Sequence, residues 1–110
     1  MTGDLVPPQI LSVIDWGWTK KVSALWLHFS PLRGRSKYWV EWIDEQQMTR
    51  SILTDNPNHQ DVGPLIRLLD QANQEGWLIE HLVWMTNRSR ALVWYSVRGG
   101  DKQYGIVFRG

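Results

Sequence analysis

The sequence predicts an α+β fold, in which one antiparallel sheet of six or seven strands packs against one helix. Short segments alternate between two faces with a period of two, which is typical of strands. One segment repeats its apolar residues every three or four positions, and the connections near the C-terminus have hairpin length. The expected order is three or four strands, the helix and three more strands, with the sheet either open or strongly curled into a barrel.

The first half of the chain supplies the early strands. Residues 9–16 alternate, with Ile10, Ser12 and Ile14 on one side, and are predicted to form a strand. Residues 22–30 are apolar on both faces, as expected of an interior strand, and residues 38–45 form the next one. Residues 48–54 complete this group as a shorter strand, and residues 1–8 are expected to be a loose N-terminal arm.

A basic loop is expected between the second and third strands. Residues 30–37 read SPLRGRSK, in which Pro31 cannot donate to a strand ladder and Gly34 relaxes the backbone. Arg33, Arg35 and Lys37 make this the densest positive cluster in the chain.

The period changes after the sequence Asp55-Asn56-Pro57-Asn58, which breaks the sheet. A helix is predicted over residues 61–75, with Gly76 placed to end it. Residues 77–85, 91–98 and 103–109 are then three strands, and the turn formers between them predict an antiparallel meander.

Length and composition bound the possible functions. A chain of 110 residues is the size of one domain. The 12 basic and 11 acidic residues leave a net charge of +1, which is too small to hold a duplex by phosphate neutralisation alone. The absence of cysteine excludes disulfides, cysteine nucleophiles and thiolate metal sites.

No targeting signal is evident. The N-terminal segment lacks a basic region, and two prolines interrupt the apolar core that a signal peptide needs. The most apolar stretches are about half of the ~18–20 residues that a membrane span requires. We therefore expect a soluble, cytoplasmic protein that does not interact with membranes.

The motifs of common enzymes are missing. The sequence contains neither GxSxG nor the glycine patterns of a phosphate cradle. His28, His59 and His81 lack the HxH or i, i+4 spacing of shared metal ligands, so neither a metal nor another cofactor is expected. A non-catalytic protein is favoured over an enzyme.

Eight tryptophans are more than a core of this size holds completely, because each side chain buries ~150–250 Å². Residues 22–30, 77–85 and 91–98 are apolar on both sides, whereas one helix covers only one face of a sheet. The second face is therefore expected to close into a barrel, to meet another copy of the chain, or to form an aromatic groove for a ligand.

These observations favour a small interaction domain that binds a protein through its aromatic sheet face, with a homodimer as one form of that interaction. The candidate contact residues are Trp26, Trp39, Trp42, Trp84 and Trp94.

The alternative is a module that binds single-stranded nucleic acid, because cations follow phosphates and exposed rings stack on bases. Its candidate residues are Arg33, Arg35, Lys37, Tyr38, Arg88 and Arg90, together with Trp39 and Trp94. A tryptophan-lined pocket for a sugar or a small apolar ligand would need a closed barrel or a deep cleft.

Overall fold

The computed structural model describes residues 6–87 and 89–109, without the Leu32 side chain. These residues form two helices and six strands in the order helix, three strands, helix, three strands. The elements are α1 (Pro8–Thr19), β1 (Ala24–Leu32), β2 (Arg35–Ile43), β3 (Thr49–Thr54), α2 (Gly63–Gln74), β4 (Ile79–Thr86), β5 (Arg90–Val97) and β6 (Gln103–Phe108).

All six strands belong to one antiparallel sheet with the order β3-β2-β1-β4-β5-β6. Each half of the chain forms a three-stranded meander, and the pairing of β1 with β4 joins the two halves. The sheet is open, with β3 and β6 as its edges, so the barrel alternative is wrong. The α+β class and the antiparallel sheet are confirmed; the six strands are the lower of the two numbers expected, whereas the number of helices and the order of the elements differ.

The segment predicted as the first strand, residues 9–16, is instead part of the helix α1. Ile10, Val13, Ile14 and Gly17 follow helical spacing, and all four are buried. Pro8 lies in the first turn of this helix, where a residue without an N–H loses no hydrogen bond. The fold therefore has two helices rather than one.

The predicted N-terminal arm is only partly described, because residues 1–5 lie outside the described part of the chain. Val6 is 5% exposed and packs against Gly105 of β6. Pro8 already belongs to α1, so the end of the segment is ordered against the sheet rather than loose.

The basic segment 30–37 is a tight hairpin rather than a loop. β1 continues to Leu32 and β2 starts at Arg35, which leaves Arg33-Gly34 as a two-residue turn with a φ of +79° at Gly34. Pro31 is tolerated in β1 because the register with β4 extends only from Ala24 to His28, so Pro31 is paired on one side alone.

The other elements agree with the sequence prediction, with boundaries shifted by one to three residues at most ends. Both helices pack on the same face of the sheet, which we call the inner face. The core lies between this face and the helices, with Leu25, Val40 and Trp84 fully buried at its centre. Neither described helix combines the length and the apolar run needed to cross a bilayer.

Candidate functional site: the outer face of the sheet

The face of the sheet turned away from the helices has no covering element among the described residues. We call it the outer face. The strand registers place the following side chains on it: Trp26, His28, Ser30, Lys37, Trp39, Glu41, Ile43, Thr49, Ser51, Leu53, His81, Val83, Met85, Arg90, Leu92, Trp94, Ser96, Tyr104, Ile106 and Phe108.

Exposed apolar side chains are concentrated on this face. Nine large hydrophobic residues are exposed in the described part of the chain, and all except Met48 belong to the outer face. They include Trp39 at 43%, Trp94 at 40% and Tyr104 at 76%. At roughly 200 Å² for a fully exposed large side chain, the eight together expose on the order of 700 Å². The six of these residues that lie on β4, β5 and β6 contribute roughly 570 Å², which is at the upper end of the ~300–600 Å² of the largest apolar patch on a typical monomer.

The apolar residues form a continuous surface across β4, β5 and β6. Val83 lies opposite Trp94, and Trp94 lies opposite Tyr104 in the next strand. One row further along, Met85, Leu92 and Ile106 repeat the pattern. Such direct cross-strand neighbours contact each other.

Two hollows flank Trp94. One has a volume of about 380 Å³ and is lined by His81, Val83, Trp94, Tyr95 and Lys102. The other, about 270 Å³, lies on the side of β6 and is bordered by Leu92 and Tyr104. The face therefore offers one protruding ring with a concave surface on either side.

Charged groups on the outer face are few and of both signs. Arg35, Lys37 and Glu41 come from β2, Arg90 begins β5, and Lys102 borders the hollow beside Trp94. At the centre of the face, Trp26, His28, His81 and Val83 carry neither a carboxylate nor an amine. Cations outnumber carboxylates on this face, but they lie on separate strands rather than in one cluster.

Three of the five predicted contact tryptophans, Trp26, Trp39 and Trp94, lie on the outer face. Trp42 and Trp84 lie on the inner face with exposures of 7% and 0%, which corrects the expectation that they face a partner. The reason is the period of two in a strand, since Trp42 is three positions from Trp39 and must point to the opposite side.

The candidate nucleic-acid residues do not form one site. The Arg33-Gly34 turn lies at one end of the sheet, and Arg90 lies at the other, because Ala24 at the start of β1 is paired with Met85. Arg35 is bound to Asp55, with Nη2 2.8 Å from Oδ2. Arg88 is outside the described residues.

Burial prevents the Tyr38 ring from stacking on a nucleic-acid base. Its ring is 4% exposed on the inner face, and burial, followed by the nearby Asp70 carboxylate, raises the pKa of Tyr38 to about 12. Lys37 and Trp39 do reach the outer face, but they are separated from Arg90 by the width of several strands. The sequence had suggested a proximity that the fold does not produce.

A third cavity, of about 370 Å³, lies where the end of α1 meets the β2–β3 turn. Asp44 lines it and accepts hydrogen bonds from the backbone N–H groups of Met48 and Gln46 and from Nε of Arg50. The Met48 bond, and then the Arg50 bond, lower the pKa of Asp44. This carboxylate therefore stays ionised and holds the turn, which is the opposite of what a general acid requires.

The structure also brings together two histidines that lie 53 residues apart in sequence. His28 of β1 and His81 of β4 are direct partners in the register, and their Nδ1 atoms are 3.1 Å apart. The sequence indicated only that each histidine lies within a predicted strand. The pairing of β1 with β4 creates the contact.

Comparison with known proteins adds no assignment to this geometry. No protein-family model, no curated protein and no solved structure matches the chain. The function must therefore be inferred from the surface itself.

Proposed function

We propose that this protein is a non-catalytic interaction domain that forms a symmetric homodimer through the outer face of its sheet. The observation that carries the proposal is the concentration of exposed apolar side chains on that one face, with Trp39, Trp94 and Tyr104 among them. The opposite face is already covered by α1 and α2.

The area of the patch fits a protein interface. The exposed apolar side chains contribute on the order of 700 Å², and a standard interface buries ~800 Å² on each partner. A two-fold dimer uses the same patch on both chains, so one surface of this size is sufficient. Burial in the dimer would remove the patch from water, which is favourable at roughly 25 cal/mol per Å² before the costs of association.

The shape of the patch supports the same occupant. Trp94 stands between two hollows, and Tyr104 borders one of them. Aromatic side chains that fill pockets at the centre of an interface carry much of the binding energy. A second copy supplies both the protruding rings and the hollows that receive them.

The charge distribution favours a protein over a nucleic acid. The whole chain carries only +1, and the cations of the outer face lie apart on β2, at the start of β5 and before β6. Two copies therefore do not repel each other strongly, whereas a phosphate backbone needs an excess of positive charge.

Sedimentation equilibrium of the wild-type chain and of Trp94→Glu tests the proposal. We expect a wild-type dimer at micromolar concentrations and a dissociation constant raised at least about tenfold by Trp94→Glu, because a carboxylate would be buried in the interface. Gln71→Glu, an exposed position on α2, serves as the matched control and should leave the dimer unchanged. A wild-type chain that stays monomeric at several hundred micromolar, or a dimer insensitive to Trp94→Glu, would refute the proposal.

An oligonucleotide titration tests the alternative function, which is the binding of single-stranded nucleic acid. We expect no quenching of tryptophan fluorescence by single-stranded oligonucleotides at low salt. Quenching that weakens with added salt, and weakens again in a Lys37→Ala variant, would instead support the nucleic-acid function.

A further inference from the structure

The His28–His81 pair lies at the middle of the outer face. β1 and β4 are the third and fourth of the six strands, and His28 is the central residue of β1. Both side chains are exposed. We propose that the two imidazoles form a bidentate binding site for a divalent late first-row transition-metal ion, of which Cu²⁺, Ni²⁺ and Zn²⁺ are the best-suited members.

The separation of the two nitrogens is the first argument. The Nδ1 atoms are 3.1 Å apart. An ion at about 2.05 Å from both, the usual metal–imidazole distance, would bind them with an N–metal–N angle of about 98°. That angle lies between the 90° of octahedral or square-planar coordination and the 109° of a tetrahedral site. One ion therefore fits between the rings without a change of their separation.

The orientation of the rings is the second argument. The ring centroids are 4.5 Å apart, farther than the nitrogens, so the Nδ1 edges face each other. Two imidazoles that point at one ion with the angle derived above would have centroids about 4.8 Å apart. The rings are thus within a few tenths of an ångström of a converging arrangement.

The backbone keeps this arrangement in place. His28 and His81 face each other directly across the ladder between β1 and β4, and Trp39 is the partner of His28 on the other side. Without an ion, the Nδ1–H of one ring donates to the Nδ1 lone pair of the other. When an ion binds, the ring that was protonated at Nδ1 takes the tautomer protonated at Nε2, so that both Nδ1 lone pairs are available to the metal.

The chemistry of the donors selects the ion. Neutral imidazole suits copper, nickel and zinc rather than calcium or magnesium, and the general order of affinity places Cu²⁺ first. The described residues hold no group of three or more histidine, cysteine, aspartate or glutamate side chains around one point. The other coordination positions therefore belong to water or to a molecule docked on the face. Both ligands come from one chain, so this site does not require the dimer.

His59 provides a matched control within the same chain. Its Nδ1 already accepts the backbone N–H groups of Asp61 and Val62, at 3.1 and 3.2 Å. A single imidazole with one occupied nitrogen forms no chelate. The variants His28→Gln and His81→Gln remove the proposed site, and His59→Gln removes a histidine that plays no part in it.

Calorimetric titration with Ni²⁺ and electron paramagnetic resonance with Cu²⁺ test the site. We expect the wild-type chain to bind one ion through two equivalent nitrogens, and His28→Gln and His81→Gln each to raise the dissociation constant at least about tenfold, because the chelate becomes a single ligand. His59→Gln should match the wild type. Circular dichroism confirms that each variant is folded, and agreement between the two single variants excludes a local folding defect as the cause.

The same titration on Ile106→Glu, a change within the apolar patch on the edge strand β6 and outside the hollow that His81 lines, keeps this inference separate from the proposed dimer. Unchanged affinity in that variant supports a site within one chain, even if the chain proves monomeric. Equal affinity in the wild type and His28→Gln, or a loss of binding in His59→Gln alone, would overturn the proposed chelate.

Discussion

The inner and outer faces of the sheet use alternating residues of the same six strands, yet they have opposite environments. Trp84 on the inner face is 0% exposed, and Trp94 on the outer face of the neighbouring strand is 40% exposed. Both faces carry at least two tryptophans and several other large apolar side chains. The comparison shows that apolar composition marks a face as one to be covered, whereas the position of the helices decides which face becomes the core.

Close approach of α1 distinguishes the inner face further. Gly17 lies directly over the Trp84 ring, where a Cβ atom would overlap the indole. The indole N–H of Trp84 is buried without a hydrogen-bond partner among the described residues. The close approach of α1 to the sheet therefore leaves no room for a side chain at position 17.

The largest expected difference in stability is between two single variants, each of which truncates a tryptophan on one face of the sheet. Trp84→Ala should lower the free energy of unfolding by about 3–5 kcal/mol, because it leaves a large cavity under α1. Trp94→Ala should lower the stability of the monomer by about 1 kcal/mol or less, since its ring is already partly in water. Urea unfolding at a protein concentration below the dimerisation range measures both. Equal losses in the two variants would contradict the distinction between the faces.

A smaller effect is expected from Gly17→Ala. The added methyl group must displace α1 or the Trp84 ring, which costs about 2–3 kcal/mol, and the better helix propensity of alanine returns about 1 kcal/mol. The net loss of about 1–2 kcal/mol can be measured by thermal unfolding. Asp15→Ala, at an exposed position of the same helix, is the control and should leave stability equal or slightly higher. A Gly17→Ala variant as stable as this control would mean that α1 packs more loosely than the structure indicates.

The turn at the open end of the inner face should produce a small, pH-dependent effect. The backbone N–H of Met48 and then the Arg50 side chain hold the pKa of Asp44 below its usual value. A lowered pKa in the folded state stabilises the fold above the unfolded-state pKa of about 4, and this contribution disappears as the pH falls through the folded value. Asp44→Asn should therefore reduce stability at pH 7 and have less effect at pH 2.

Unfolding by urea across this pH range provides the measurement, with Asp15→Asn as the control. A loss of stability in Asp44→Asn that is the same at both ends of the range would show that the carboxylate charge does not hold the turn.

The smallest expected effect concerns the helix that covers the inner face. Partial burial, and then the neighbouring Asp55 carboxylate, raise the pKa of Asp70 on α2. A raised pKa in the folded state means that this contribution is favourable below about pH 4 and is lost as the pH rises through the folded value. Asp70→Asn should therefore stabilise the protein at pH 7, by at most about 0.5 kcal/mol after solvent screening. A lower melting temperature for this variant at pH 7 would show that the ionised carboxylate is favourable.

An element could be predicted from the sequence when the contacts that determine it lie close together in the chain. β2, β4, β5 and β6 were predictable because an alternating pattern and a nearby turn are local signals. The helix α2 was predictable from its apolar spacing and from Gly76. α1 was not, because Ile10 and Ile14 satisfy an alternating pattern and a helical one at the same time, and only packing against the sheet separates the two.

The candidate site was predictable in kind but not in detail. The excess of apolar residues over what the helix could cover indicated an exposed sheet face. The alternation within β2 already separates Trp39 from Trp42, but it does not say which of the two is covered. That decision requires the position of α1, whose helical state was not predicted.

By itself, the sequence determined the α+β class, all six strands near their observed positions, one helix and the surplus of apolar side chains, because these depend on neighbours within a few residues. Only the tertiary structure decided the second helix, the open sheet, the covered face and the contact of His28 with His81. These features depend on strand pairing between distant segments. The physical reason is that a hydrophobic pattern specifies how much surface must be buried, and chain topology specifies what buries it.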